Sequence, residues 1–183
     1  WYKQRSDNAE SSLDSQCLLA EQLIRHCEPL LAYDLVKERL QAFPGHHRFR
    51  QLLGFALARG GATEAANFHL KQLYEEGDHS EETIGLLART YKDLWQNAGQ
   101  DAQKLNFQKK AFSFYYEGFK KNEDAYWTGI NAATMAVLSG KSAEAEKIAR
   151  QVVRMCHGEV MRLPPDDPAL YWVFATLGEA ELI

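Results

Sequence analysis

The chain has 183 residues, 45% of them hydrophobic and 25% charged, with a formal net charge of −4. That balance supports a folded core and excludes a disordered polyelectrolyte. No run of Lys and Arg exceeds two residues, which argues against a nucleic-acid partner, and no apolar run approaches the roughly 18 residues of a membrane span. The sequence starts at Trp1 with no signal-peptide pattern, as a cut or processed piece does. Its three cysteines, Cys17, Cys27 and Cys156, carry no CxxC spacing and read as reduced thiols of a cytoplasmic protein.

Small residues recur with a fixed step. Ala32, Ala66, Ala111 and Ala145 are separated by 34, 45 and 34 residues, and Ala20, Gly54, Ala88 and Ala133 by 34, 34 and 45. In both ladders the odd step is 34 residues plus an insertion of 11. A 34-residue period in helix-rich sequence marks a stacked helical hairpin. The expected fold is all-α, a right-handed solenoid of about four and a half hairpins in one domain over residues 1–183. Repeats fall at about 13–46, 47–80, 81–125 and 126–159, with a terminal helix at 168–183.

In the first repeat Leu19, Ala20 and Leu23 line one face, and Pro29 opens a second helix whose apolar residues are Leu31, Leu35, Val36 and Leu40. Pro44-Gly45 ends it. In the second repeat Leu52, Leu53, Phe55 and Leu57 flank Gly54, Gly60-Gly61 makes the turn, and Ala65, Ala66, Leu70 and Leu73 form the next apolar face before Gly77. The third repeat holds the insertion between Tyr91 and Ala111; 11 residues are about three helical turns, so both its helices can lengthen and keep their facing. Phe112, Tyr115, Tyr116 and Phe119 make its second helix aromatic. The fourth repeat returns to the pattern with Ala132, Ala133, Ala136, Gly140, Ala145, Ile148, Ala149 and Val152. A proline-containing loop then leads to an aromatic helix with Tyr171, Trp172, Val173 and Phe174, read as an apolar lid.

These repeats resemble the tetratricopeptide pattern W-x2-L-G-x2-Y…A-x3-F…P. Leu53-Gly54…Leu57 with Ala66 and Leu70, Leu87-Ala88…Tyr91, and Leu19-Ala20…Leu23 with Ala32, Val36 and Pro44 carry it, each without the initial Trp. A narrower resemblance starts at Tyr115. The segment YYEGFKKNEDAYWTGINAATMAVLSG, with Tyr126, Gly129, Ile130 and Asn131, is similar to the central regulatory region of apoptosis-signal-regulating kinases, named for binding TRAF adaptors, and to bacterial tetratricopeptide proteins. The resemblance implies a helical signalling scaffold beside a separate effector domain.

No phosphate-binding, dinucleotide, zinc-protease, nucleophile-elbow or kinase motif is present, so the chain is expected to be non-enzymatic and to need no cofactor. His26-Cys27, Cys156-His157 and His46-His47 pair ligand-type residues, but they read as helix-end residues, and no metal is expected.

The remaining site is the concave groove lined by the first helix of each hairpin. Arg48, Gln51, Phe55 and Arg59 in the second repeat, Arg89 and Lys92 in the third, and Trp127 and Asn131 in the fourth are expected to face it. Arg and Trp are frequent binding anchors, and this strip suits a protein or peptide partner with acidic groups and an apolar anchor, or an effector domain of the same polypeptide. Two other readings are carried forward. One is self-association through the C-terminal aromatic helix. The other is a small-ligand sensor or enzyme with a pocket near Tyr115, Trp127 and Asn131.

Overall fold

The computed structural model describes residues 2–122 and 125–183. Trp1, on which the reading of a cut start rests, and residues 123–124, within the segment 115–140 likened above to a regulatory region, lie outside the described residues. Among the described residues there are nine α-helices and no strand: α1 (Tyr2–Arg25), α2 (Pro29–Ala42), α3 (His47–Arg59), α4 (Thr63–Glu75), α5 (Glu81–Asn97), α6 (Asp101–Lys121), α7 (Tyr126–Leu138), α8 (Ser142–Arg162) and α9 (Ala169–Glu181). They gather into two compact units, one ending at His79 and the other spanning Ser80–Ile183. In the first, α1 packs on α2 and α3, and α3 packs on α2 and α4. In the second, each helix from α5 to α9 packs on the next, and α7 also meets α9.

The small-residue ladders explain this packing. All eight ladder residues are buried. A Cβ on Gly54 would sit 2.5 Å from Cγ of Leu70, so α3 and α4 approach to a distance that only a small residue allows. In the third hairpin α5 has 17 residues and α6 has 21, against 13 each in α3 and α4, so the insertion extends both helices as helix rather than as loop.

Four helices end in the same way. At the ends of α1, α3, α4 and α7 a residue with positive φ lets the next N–H reach back to a carbonyl of the last turn: Glu28 to Leu23 (2.8 Å), Ala62 to Leu57 (2.9 Å), Asp78 to Leu73 (3.1 Å) and Lys141 to Ala136 (2.9 Å). Three of those residues are Gly61, Gly77 and Gly140; the fourth is Cys27, with φ of 63°.

Several apolar residues assigned to buried faces lie outside. Leu19 and Leu31 are 51% and 54% exposed, while Cys17, Ala20, Ile24, Ala32 and Val36 form the core. Cys17, Ala20 and Ile24 share one helical face at i, i+3 and i+7, and Leu19 lies about 100° around the helix from Ala20. On α9 only Val173, Thr176 and Ala180 are buried, so the expected apolar lid instead presents Tyr171, Trp172 and Phe174 to solvent.

A left-handed conformation costs a non-glycine residue about 1–2 kcal/mol, offset by the greater unfolded-state freedom of glycine. Cys27→Gly is therefore expected to raise stability by about 0.5–1 kcal/mol, read as a higher urea midpoint with an unchanged slope.

Candidate functional site

One face of α5 carries Gly85, Arg89, Lys92, Asp93 and Gln96, spaced so that all five look the same way. Glycine at the start of this stripe has a steric purpose. A Cβ there would overlap the six-membered ring of Trp127, so the α7 indole rests directly on the α5 backbone. Tyr115 of α6, 1% exposed, meets that indole edge-on, with ring centroids 6.4 Å apart and planes at 89°. These side chains enclose a cavity of about 320 Å³ lined by Arg89, Lys92, Asp93, Gln96, Tyr115, Trp127 and Asn131, all within the second unit.

Its polar groups are held in place. Lys92 Nζ donates to Asn131 Oδ1 at 3.1 Å, and Asn131 Nδ2 donates to the carbonyl of Trp127 at 2.9 Å. An amide inside a helix thus fastens its own backbone and reaches from α7 to α5. Burial holds the Lys92 ammonium below the ordinary lysine range; Glu179 on α9 opposes that shift and Arg89 reinforces it. Glu179 in turn accepts a hydrogen bond from Thr134 at 2.6 Å. Burial also raises the Tyr115 phenol, which stays protonated as a donor at neutral pH. Arg89 and Asp93 form an i,i+4 ion pair, with Nε and Oδ2 3.9 Å apart, longer than a hydrogen bond. The lining combines two cations, a carboxylate, two amides and two aromatic rings without serine, cysteine or histidine. Such a set recognises a charged, planar ligand by hydrogen bonding and stacking.

The sequence profile of the Tetratricopeptide Repeats-Sensor family, TPR-S, matches residues 7–136. The chain belongs to that family. No curated protein sequence matches it significantly. Among solved structures it is similar to TTC0263, a thermophilic TPR protein of Thermus thermophilus, with a TM-score of 0.74 and 17% identity over 92% of this chain and 81% of that one. It also resembles the human IFIT1 dimer with PPP-AAAA, with a TM-score of 0.67 and 16% identity over 75% of this chain and 31% of that one. A third neighbour is the putative kinesin light chain of Podosopora anserina with TPR-like repeats, with a TM-score of 0.56 and 19% identity over 94% of this chain and 86% of that one. At these identities the likeness establishes the tetratricopeptide-like helical fold alone.

Within this TPR-S chain the sequence-predicted site residues have two different surroundings. Arg89, Lys92, Trp127 and Asn131 meet at the cavity. Arg48, Gln51, Phe55 and Arg59 lie on α3 in the first unit, where they form a brace. Arg48 donates to Glu21 of α1 at 2.6 and 3.1 Å and to Gln51 at 2.9 Å, and buried Gln51 donates to Asp78 at 3.2 Å. Arg59 stacks over Phe55 at 5.7 Å. Asp93 and Gln96 complete the cavity and were not singled out from sequence, although each follows a predicted residue by four (Arg89 and Lys92), the spacing that puts it on the same face. A larger hollow of about 510 Å³ lies between α8 and α9, but its Arg150 is already engaged by Glu146 at 2.6 Å.

The buried ammonium makes a stability prediction. A lysine whose folded pKa is depressed is protonated more readily in the unfolded chain, so its contribution to stability rises with pH between the folded pKa and the ordinary 10.5. Urea titrations of Lys92→Met against the native chain at a series of pH values are expected to show the difference moving in the native lysine's favour as pH climbs toward 10.5.

Proposed function

We propose that the chain is a non-catalytic sensor module that binds a small molecule bearing an anionic group in the cavity of its second unit. The observation that carries this reading is the convergence of Arg89 and Lys92 with Trp127, Tyr115 and Asn131 around about 320 Å³ of space. Small-ligand sites are concave, preformed and oriented by a few polar groups, and this cavity falls within their usual size range. The description of the family as a sensor supports the reading, as does the anchoring of Lys92 through Asn131, which leaves little to order on binding. The tetratricopeptide-like fold serves protein interaction generally. We place the module in a cytoplasmic signalling protein, where ligand occupancy is passed to a protein partner or to an effector domain of the same polypeptide. The similarity to the regulatory region of apoptosis-signal-regulating kinases is consistent with that setting.

The experiment is a thermal-shift and calorimetric titration of the chain with 3-phenylpropanoate and inorganic phosphate. Binding to the native state raises the melting temperature in a saturable way. Arg89→Glu is expected to weaken the tighter probe at least tenfold, the loss of one hydrogen bond between charged groups, about 1.4 kcal/mol or more. Because the Arg89–Asp93 ion pair is long and partly exposed, it contributes little to stability, and the variant is expected to unfold at nearly the native urea concentration. Equal affinity of variant and native chain removes the reading.

A second reading rests on a separate observation. Tyr171, Trp172 and Phe174 are all exposed on α9, with the Tyr171 and Trp172 rings 5.0 Å apart, and exposed large aromatic side chains mark association surfaces. If the chain self-associates there, its sedimentation coefficient rises with concentration and Trp172→Asp abolishes the rise; a coefficient independent of concentration excludes it.

A further inference from the structure

Resting on the reading of the cavity as an anion site, we infer that its occupant is an aromatic carboxylate and that the Tyr115 hydroxyl is the donor that selects it. The starting point is a polar group that the fold leaves unsatisfied. Tyr115 is 1% exposed, yet its hydroxyl is hydrogen-bonded to none of the described residues. A buried donor that has lost water and gained no acceptor weakens the fold, and such groups are rare. This one is not sealed in the core. Tyr115 lines the cavity, and Arg89 and Asp93 of the same lining both act on the phenol through space. A molecule in the cavity that brings an acceptor satisfies it.

A second donor stands beside it. The ion pair with Asp93 approaches Arg89 at Nε, 3.9 Å away, and the two terminal Nη nitrogens of Arg89 are hydrogen-bonded to none of the described residues. Lys92 already donates to Asn131. The unspent groups of Arg89 and Tyr115 are all donors, and two neighbouring donors match the two oxygens of a carboxylate. Each bond is strengthened by the charge of the acceptor. The Arg89–Asp93 ion pair stays in place, so binding asks nothing of that carboxylate. A phosphate monoester suits the site less. It carries close to two negative charges at neutral pH. Asp93 and Glu179 are already set against the cations Arg89 and Lys92, so the second charge would go uncompensated in a partly enclosed space. Trp127, seated on Gly85 with Tyr115 edge-on to it, gives the ligand an aromatic wall. At about 30 Å³ per water the cavity holds roughly ten waters, the bulk of one aromatic ring with a short acid arm.

The test is isothermal titration of the native chain and of Tyr115→Phe. The ligands are 3-phenylpropanoate and indole-3-propanoate, their primary amides, which keep the shape and lose the charge, and phenyl phosphate. The better acid is expected to bind the native chain at least tenfold more tightly than its amide and than phenyl phosphate. Tyr115→Phe keeps the ring against Trp127 and removes only the hydroxyl. It is expected to weaken the acid at least tenfold, the loss of one hydrogen bond to a charged group. Its urea midpoint is expected to stay at or above the native value, because the hydroxyl has no acceptor in the fold. A purely structural hydroxyl would not separate affinity from stability in this way. Equal affinity of variant and native chain, or a variant midpoint clearly below the native one, overturns the role of Tyr115. Phenyl phosphate or the amides binding as tightly as the acids overturns the carboxylate; phenyl phosphate doing so with affinity still dependent on Arg89 leaves the anion site standing. No saturable binding of any of these ligands or of inorganic phosphate removes both readings.

Discussion

The close approach of helix to helix at small side chains is the constraint on which the rest of this molecule depends. Each hairpin brings a residue such as Ala32, Ala66, Ala111 or Ala145 against its neighbour with no exposed surface left. Larger residues at these slots would separate the helices and open voids along the core, and protein interiors tolerate neither strain nor voids cheaply. The same requirement creates the candidate site. Gly85 removes one side chain from the α5 face, and the indole of Trp127 takes up the released space. One period earlier the equivalent place is occupied by Gln51, which is buried and bonded to Arg48 and Asp78. One substitution in the repeat thus separates a filled position from a seat for an aromatic wall.

The two units use similar residue types to opposite ends. In the first, arginine, glutamine and carboxylates close upon one another across α1, α3 and the end of α4, so their hydrogen-bonding capacity serves the fold. In the second, a lysine is partly buried at a cost to its charged form, and an arginine pairs with its neighbouring carboxylate at 3.9 Å, beyond hydrogen-bond distance. Arrangements that sacrifice stability in this way concentrate where a protein must bind something else.

Much of the architecture is legible in the sequence. The period of the ladders, the insertion and the turn glycines follow from spacing, because close packing admits few residue types and left-handed caps favour one. Less is legible where the answer depends on which side of a helix faces inward. Leu19 and Leu31 are apolar, and their exposure follows from their angle to Ala20 and Ala32 rather than from their chemistry. Cys27 at a left-handed cap carries no compositional signal at all. For the candidate site, Arg89, Lys92, Trp127 and Asn131 are identifiable as face residues of successive first helices. That Arg48 and Gln51 are consumed in a brace is not, since it depends on Glu21 arriving from α1 and Asp78 from the turn after α4.

The lengthened third hairpin has a consequence for how such a module diversifies. Arg89 and Lys92 sit within the ordinary repeat, at positions where α3 is still helical, whereas Gln96 corresponds to Ala62, by which point α3 has ended and its turn is complete. The wall that Gln96 provides exists because the insertion carries α5 onward to Asn97. Charge capture and the shaping of the far wall are therefore encoded in separable stretches of chain. Changes in the length of the insertion can remodel what the cavity admits while the repeat that supplies the cations, and the packing beneath it, stays as it is.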